Sequence, residues 1–189
     1  THIRHTPILS GLVGSEMCIR DRYNTSLNGL MIHHDIPPQE FLKYVHTIDL
    51  SFMKEDKIMR DELINLDMEK FIFTNGSAEH AENILSHLGV YDLFGRDKVF
   101  DIQDAGYVPK PEAKTFDLML KKFKINPKET IYIEDIAKNL GIGHERGCYT
   151  VWLINDEHFG KIDSNKDYIS HKIENLSLFL KEIRLLKNR

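Results

Sequence analysis

Apolar residues recur with helical spacing in some stretches of the chain and form short unbroken runs in others, and the two kinds alternate. Phe41, Leu42, Val45 and Ile48 predict an amphipathic helix over residues 38–48, entered through the Pro37–Pro38 pair. Ile58, Met59, Leu63, Ile64 and Leu66 predict a second over 56–66. A run at 70–74 (KFIFT), broken by Asn75–Gly76, predicts a buried strand. Ser77 then caps a helix carrying Ala81, Ile84, Leu85 and Leu88, which stops at Gly89. Onward, the pattern predicts strands at 98–102, 130–133, 149–154 and 167–169, with helices at 111–123, 137–146 and 173–187. Strands alternating with helices imply crossover connections, hence an α/β protein with a parallel sheet and helices on both faces. No internal repeat or low-complexity tract interrupts the pattern.

Composition adds exclusions. The 189 residues carry 25 Lys plus Arg against 29 Asp plus Glu, a net charge of -4, with 41% hydrophobic and 29% charged residues. That is the balance of an ordinary globular protein and not of a nucleic-acid binder. The longest strongly apolar stretch, 149–154, is far short of the roughly 20 residues of a membrane helix. Cys18 and Cys148 have no C-x-x-C or other pairing spacing, which suits a reducing compartment, and a cytoplasmic location is expected. The apolar residues 7–14 lack a small-residue cleavage site and are not read as a signal peptide.

Ligands of parallel sheets sit at the carboxyl ends of the strands, and three such ends carry candidate chemistry. Thr74–Asn75–Gly76 offers a hydroxyl, a carboxamide and a glycine that lets peptide N–H groups turn toward an anion; the same residues also suit a plain strand-ending turn. Lys110 stands between Pro109 and Pro111, held stiffly as an ammonium facing a phosphate must be, or simply exposed in a proline turn. Glu134 and Asp135 end an apolar run as adjacent carboxylates, which a hard Mg²⁺ would reconcile or a following helix would use as a cap. His80 and Asn139 are candidates for contact with a ligand or with the groups that hold it. Gly141-x-Gly143-x-x-x-Gly147 lacks the spacing and position of a dinucleotide fingerprint, and no histidine pair has zinc spacing. Asp101 and Asp104 are read as turn formers.

FTNG at 73–76, VPKPE at 108–112 and YIED-x-x-x-N at 132–139 resemble, in order and spacing, motifs II, III and IV of the haloacid dehalogenase superfamily of phosphohydrolases. YNTSLNGLMIHHDI at 23–36, YVHTIDLS at 44–51, TNGSAEHA at 74–81 and FDIQDAGYVPKPE at 100–112 resemble its pyrimidine 5′-nucleotidase branch. The resemblance spans about residues 23–154. It implies a Rossmann-like core over 55–189, with 23–54 the remnant of a small helical cap. It further implies a phosphomonoester hydrolase that works through an aspartyl-phosphate on nucleoside 5′-monophosphates, pyrimidine ones above all, or similar small phosphates. Thr74, with the Asn75 and Gly76 backbone, would hold the phosphoryl oxygens, Lys110 would bridge phosphate and nucleophile, and Glu134 and Asp135 would hold Mg²⁺. The expected partner is a small-molecule phosphate, with neither nucleic acid nor membrane, and the oligomeric state is open.

The D-x-D-x-T motif that supplies the family's nucleophile and acid/base is not in these 189 residues. GSEMCIRDR at 14–22 resembles the read-through translation of a sequencing adapter, so residues 1–22 are expected to be non-native and the chain a fragment without turnover. In the family's fold the nucleophile strand lies between those ending at Thr74 and Glu134. Its loss predicts a slot, filled by residues 8–13 (ILSGLV) or closed by the flanking strands, with Thr74, Lys110 and Asp135 still at one pocket. Two alternatives stay in view. A receiver-like phosphoacceptor places its acids before its Thr and Lys, the reverse of the order here, and a haloacid dehalogenase needs no metal.

Overall fold

The computed structural model describes residues 49–187 together with Pro38, Gln39 and Leu42. Those three are helical, as predicted; the rest of 38–48, the segment 1–22 and the stretch 8–13 lie outside the described residues.

The chain enters its core through α1 (Lys57–Asn65), capped by Asp56, whose carboxylate accepts from the Met59 amide at 2.8 Å. It then runs through β1 (Ile72–Phe73), α2 (Ala78–His87), β2 (Val99–Phe100), α3 (Ala113–Phe123), β3 (Ile131–Glu134), α4 (Leu140–Arg146), β4 (Tyr149–Leu153), β5 (His171–Ile173) and α5 (Leu176–Lys187). Every strand pair is parallel: β1 with β2, and β3 with β4 with β5.

Alternation along each strand sends side chains to opposite faces, and helices cover both. Phe73, Phe100, Tyr132 and Trp152 pack with Phe116 of α3 and Leu140 of α4. From the other face, Ile72 packs with Leu85 of α2, Met59 and Leu63 of α1 and Leu180 of α5, while Val151 and Ile173 meet Phe179 of α5. The fold is therefore the expected α/β arrangement of parallel strands between helices.

The strand expected at 167–169 stands instead at His171–Ile173, and α5 starts at Leu176 rather than 173. Thr150 explains the shift. Its hydroxyl bonds the Tyr168 carbonyl and its own carbonyl accepts from the Ser170 amide at 3.1 Å, so 168–170 are held by one residue before the ladder begins at Val151↔His171.

Two of the glycines that fail as a dinucleotide fingerprint have packing roles. A Cβ on Gly143 would lie 2.5 Å from Tyr132 Cδ1, so only glycine lets α4 sit this close to β3. Gly147 ends α4 in the left-handed region at φ 96°.

Among the described residues no backbone hydrogen bond joins β1 to β3, so the strands flanking the expected slot do not pair with each other. Aromatic packing nevertheless runs across the seam: the Phe73 and Tyr132 rings lie 6.3 Å apart, and Phe116 is 6.0 Å from the first and 5.3 Å from the second.

Candidate active site

β1, the loop after β2, and β3 each deliver one group of polar residues to the same end of the strands. At the end of β1 the Thr74 amide donates to the Phe100 carbonyl at 3.0 Å, and the Thr74 hydroxyl accepts from the Gly76 amide at 2.9 Å. That second bond closes a tight side-chain turn. The turn is tied to the next loop, where the Ile102 amide donates to the Gly76 carbonyl at 3.1 Å.

Asp101 fixes this junction. Wholly buried, it accepts from the Ala78 amide at 2.9 Å and from the Gln103 and Asp104 amides at 3.0 and 2.9 Å. It is a turn former, as expected, and it also anchors the start of α2.

Lys110 connects the three groups. Its amide donates to Asn75 Oδ1 at 2.8 Å, while its Nζ donates to the Phe73 carbonyl at 3.0 Å and to Glu134 Oε2 at 2.6 Å. The ammonium also stands 4.8 Å over the Phe73 ring. The Lys110–Pro111 peptide is cis. Lys110 is thus buried and paired, not the exposed lysine of a proline turn.

Glu134 is bonded through both oxygens. Oε2 also accepts from the Tyr132 hydroxyl at 3.1 Å, and Oε1 from Asn139 Nδ2 at 3.2 Å and more weakly from the Ile136 amide at 3.4 Å. Burial works to raise its pKa, but the charge and hydrogen bond of Lys110, with side-chain hydrogen bonds from Asp135 and Asn139, prevail and hold it below the ordinary carboxylate range. Burial first, and the Glu134 charge second, push the Tyr132 phenol well above its usual value. The result is an anionic carboxylate clamped between an ammonium, a phenol and a carboxamide.

Asp135 faces outward beside it and keeps substantial solvent exposure. Its carboxyl is nonetheless pushed above the ordinary range, by desolvation first and the Glu134 charge second. Its backbone carbonyl accepts from Trp152 Nε1 at 3.0 Å and from Asn155 Nδ2 at 2.7 Å. Asp135 supplies a hard, exposed carboxylate oxygen beside a second carboxylate that Lys110 already balances, and such an oxygen donor fits a divalent cation such as Mg²⁺. Among the described residues no three acidic, histidine or cysteine side chains gather into one group. Glu134, expected as a second ligand, has both oxygens bonded within the protein, so the exposed Asp135 is the carboxylate an ion would reach, and water or other ligands would fill the remaining positions.

Thr74, Asn75, Gly76, Lys110, Glu134, Asp135 and Asn139 therefore come together as one connected cluster. His80 lies in the first turn of α2, with its amide on Ser77 Oγ at 3.2 Å; burial lowers its pKa and favours the neutral imidazole. Sequence reasoning misses Tyr132, Trp152 and Asn155. Tyr132 is within its reach, since it stands two residues before Glu134 on one strand face. Trp152 and Asn155 are not, because their relation to Asp135 depends on the β3–β4 register, which sets Glu134 opposite Trp152.

A family model described as haloacid dehalogenase-like hydrolase matches residues 59–145, which contain all three polar groups. An L-2-haloacid dehalogenase from Xanthobacter autotrophicus, solved with chloropropionic acid covalently bound, is similar in structure at a TM-score of 0.56 and 13% identity. The match covers 94% of this chain and 83% of that one. A β-phosphoglucomutase from Clostridium difficile is similar at a TM-score of 0.54 and 16% identity, over 93% and 77% of the respective chains. At these identities the likeness is one of fold.

Proposed function

We propose that this chain carries the phosphate- and metal-binding half of a phosphomonoester hydrolase of the haloacid dehalogenase-like kind, acting on nucleoside 5′-monophosphates, pyrimidine ones above all, or similar small phosphates. The observation that carries the reading is Lys110, which by itself links Phe73, Asn75 and Glu134 and so joins the three motif-bearing segments at one point. A dehalogenase would share the fold, but the exposed Asp135 carboxylate next to Glu134 at the carboxyl end of β3 favours a metal-assisted phosphoryl reaction.

In this reading the Thr74 hydroxyl and the Asn75 amide bind phosphoryl oxygens, and Lys110 balances charge on the transferring group. The Gly76 amide, expected with them, instead shapes the turn through its bond to the Thr74 hydroxyl. Asp135 presents an oxygen to Mg²⁺, with Glu134 beside it holding Lys110 in place. When bound, the ion would supply charge neutralisation at the phosphate. The acceptor aspartate belongs to a D-x-D-x-T strand that these 189 residues do not contain, so the chain itself does not turn over. Residues 55–189 are the core, 23–54 a partial cap and 1–22 a non-native segment of a cytoplasmic enzyme.

Calorimetric titration with inorganic phosphate in the presence of Mg²⁺ tests the cradle without requiring chemistry. Saturable binding is expected, weakened at least tenfold by Thr74→Val and Asn75→Ala. Absence of binding, or equal binding by both variants, contradicts the assignment.

A further inference from the structure

The carbonyl of Asp135 is a meeting point that the proposed chemistry does not itself use. Trp152 Nε1 reaches it at 3.0 Å from β4, and Asn155 Nδ2 reaches it at 2.7 Å from the loop beyond. Two donors on one carbonyl satisfy both of its lone pairs and fix the peptide plane just past the end of β3. That plane sets the direction in which the Asp135 side chain leaves the backbone.

Asn155 is itself held, because its Oδ1 accepts from the Glu157 amide at 3.0 Å. Gly160 makes the room: a Cβ there would lie 2.3 Å from Asn155 Oδ1 and 2.5 Å from Nδ2. A methyl group at 160 would therefore push the carboxamide off the Asp135 carbonyl. It would meet the far end of a side chain and not backbone, so the local fold can absorb it.

We infer that Asn155 is a positioning residue for the metal-binding carboxylate, acting through the Asp135 carbonyl together with Trp152, and that Gly160 is glycine so that this carboxamide can occupy its place. The inference rests on the reading of Asp135 as a Mg²⁺ ligand. Groups that orient a ligand residue are worth about ten- to a hundredfold in metal affinity. Trp152 also makes the device observable, since it is the only tryptophan in the chain and its indole N–H is bonded to the residue that would hold the ion.

The test is a titration of the 189-residue chain with Mg²⁺ alone, followed by Trp152 emission, for the parent chain and for Asp135→Asn, Asn155→Ala and Gly160→Ala, with thermal unfolding of each. The parent is expected to show a saturable change in emission that Asp135→Asn abolishes. Asn155→Ala should raise the apparent Kd for Mg²⁺ about tenfold, and Gly160→Ala should raise it in the same direction, each with little change in Tm. A response lost in Asp135→Asn but with a Kd unchanged in both other variants overturns the positioning role while leaving the metal reading intact. A fall in Tm without a shift in Kd overturns it too, since the bond would then be structural only. No response in the parent, or one that survives Asp135→Asn, overturns the metal reading and this inference with it.

Discussion

Lys110 Nζ lies 2.6 Å from Glu134 Oε2, with the side chains only 8% and 5% exposed, and among the described residues this ion pair ties the Lys110 loop to β3 at the seam. Removing one partner of such a pair strands the other charge in a site closed to water. Lys110→Met is therefore expected to destabilise the fold by about 3–5 kcal/mol in urea unfolding. A loss under about 1 kcal/mol would mean that Glu134 is solvated in practice and the clamp is weaker than its geometry.

Substitution at Gly143 reports on a different contact. The Cβ of an alanine would lie 2.5 Å from Tyr132 Cδ1, forcing either α4 away from β3 or the phenol away from Glu134. Gly143→Ala is expected to cost about 1–3 kcal/mol, despite alanine's better helix propensity. A stabilised variant would show that α4 can move off the sheet freely.

These two positions mark what the sequence can disclose and what it cannot. Local signals suffice where a residue acts on its own neighbours. Ser77 caps α2, the Thr74–Gly76 turn follows a short apolar run, and strand–helix alternation places Thr74 and Glu134 at strand ends. Assigning Lys110 needs the cluster as a whole, because a lysine between prolines reads equally well as surface; its burial comes from tertiary bonds to Phe73 and, across 24 residues, to Glu134. Gly143 is legible as a glycine without a reason, since its reason is a ring on another element. Trp152 and Asn155 depend on strand register, and the strand expected at 167–169 is displaced by the bonds of Thr150. Each of these is a tertiary relation that periodicity does not carry.

Cys148 gives the pH prediction. Burial pushes its thiol from 9.0 up to about 11, so folding favours the neutral form. That contribution is complete below pH 9 and is lost as pH rises from 9 through 11. With Cys18 replaced by serine, labelling by a thiol-specific disulfide reagent at about pH 8 is expected to be slow in the native chain and complete in urea, and stability should decline above pH 9. Rapid native labelling would place the thiol in solvent.

The proposed role of Thr74, Lys110 and Asp135 in phosphoryl transfer is tested by hydrolysis itself. The 189-residue chain and a version preceded by a strand bearing D-x-D-x-T would be assayed with Mg²⁺ against p-nitrophenyl phosphate and a set of nucleoside 5′-monophosphates. No turnover is expected from the first. From the second, Mg²⁺-dependent release of phosphate is expected, lost by at least about a hundredfold in Asp135→Ala. Turnover by the 189-residue chain, or a folded restored chain that stays inert or ignores Asp135→Ala, would contradict this role.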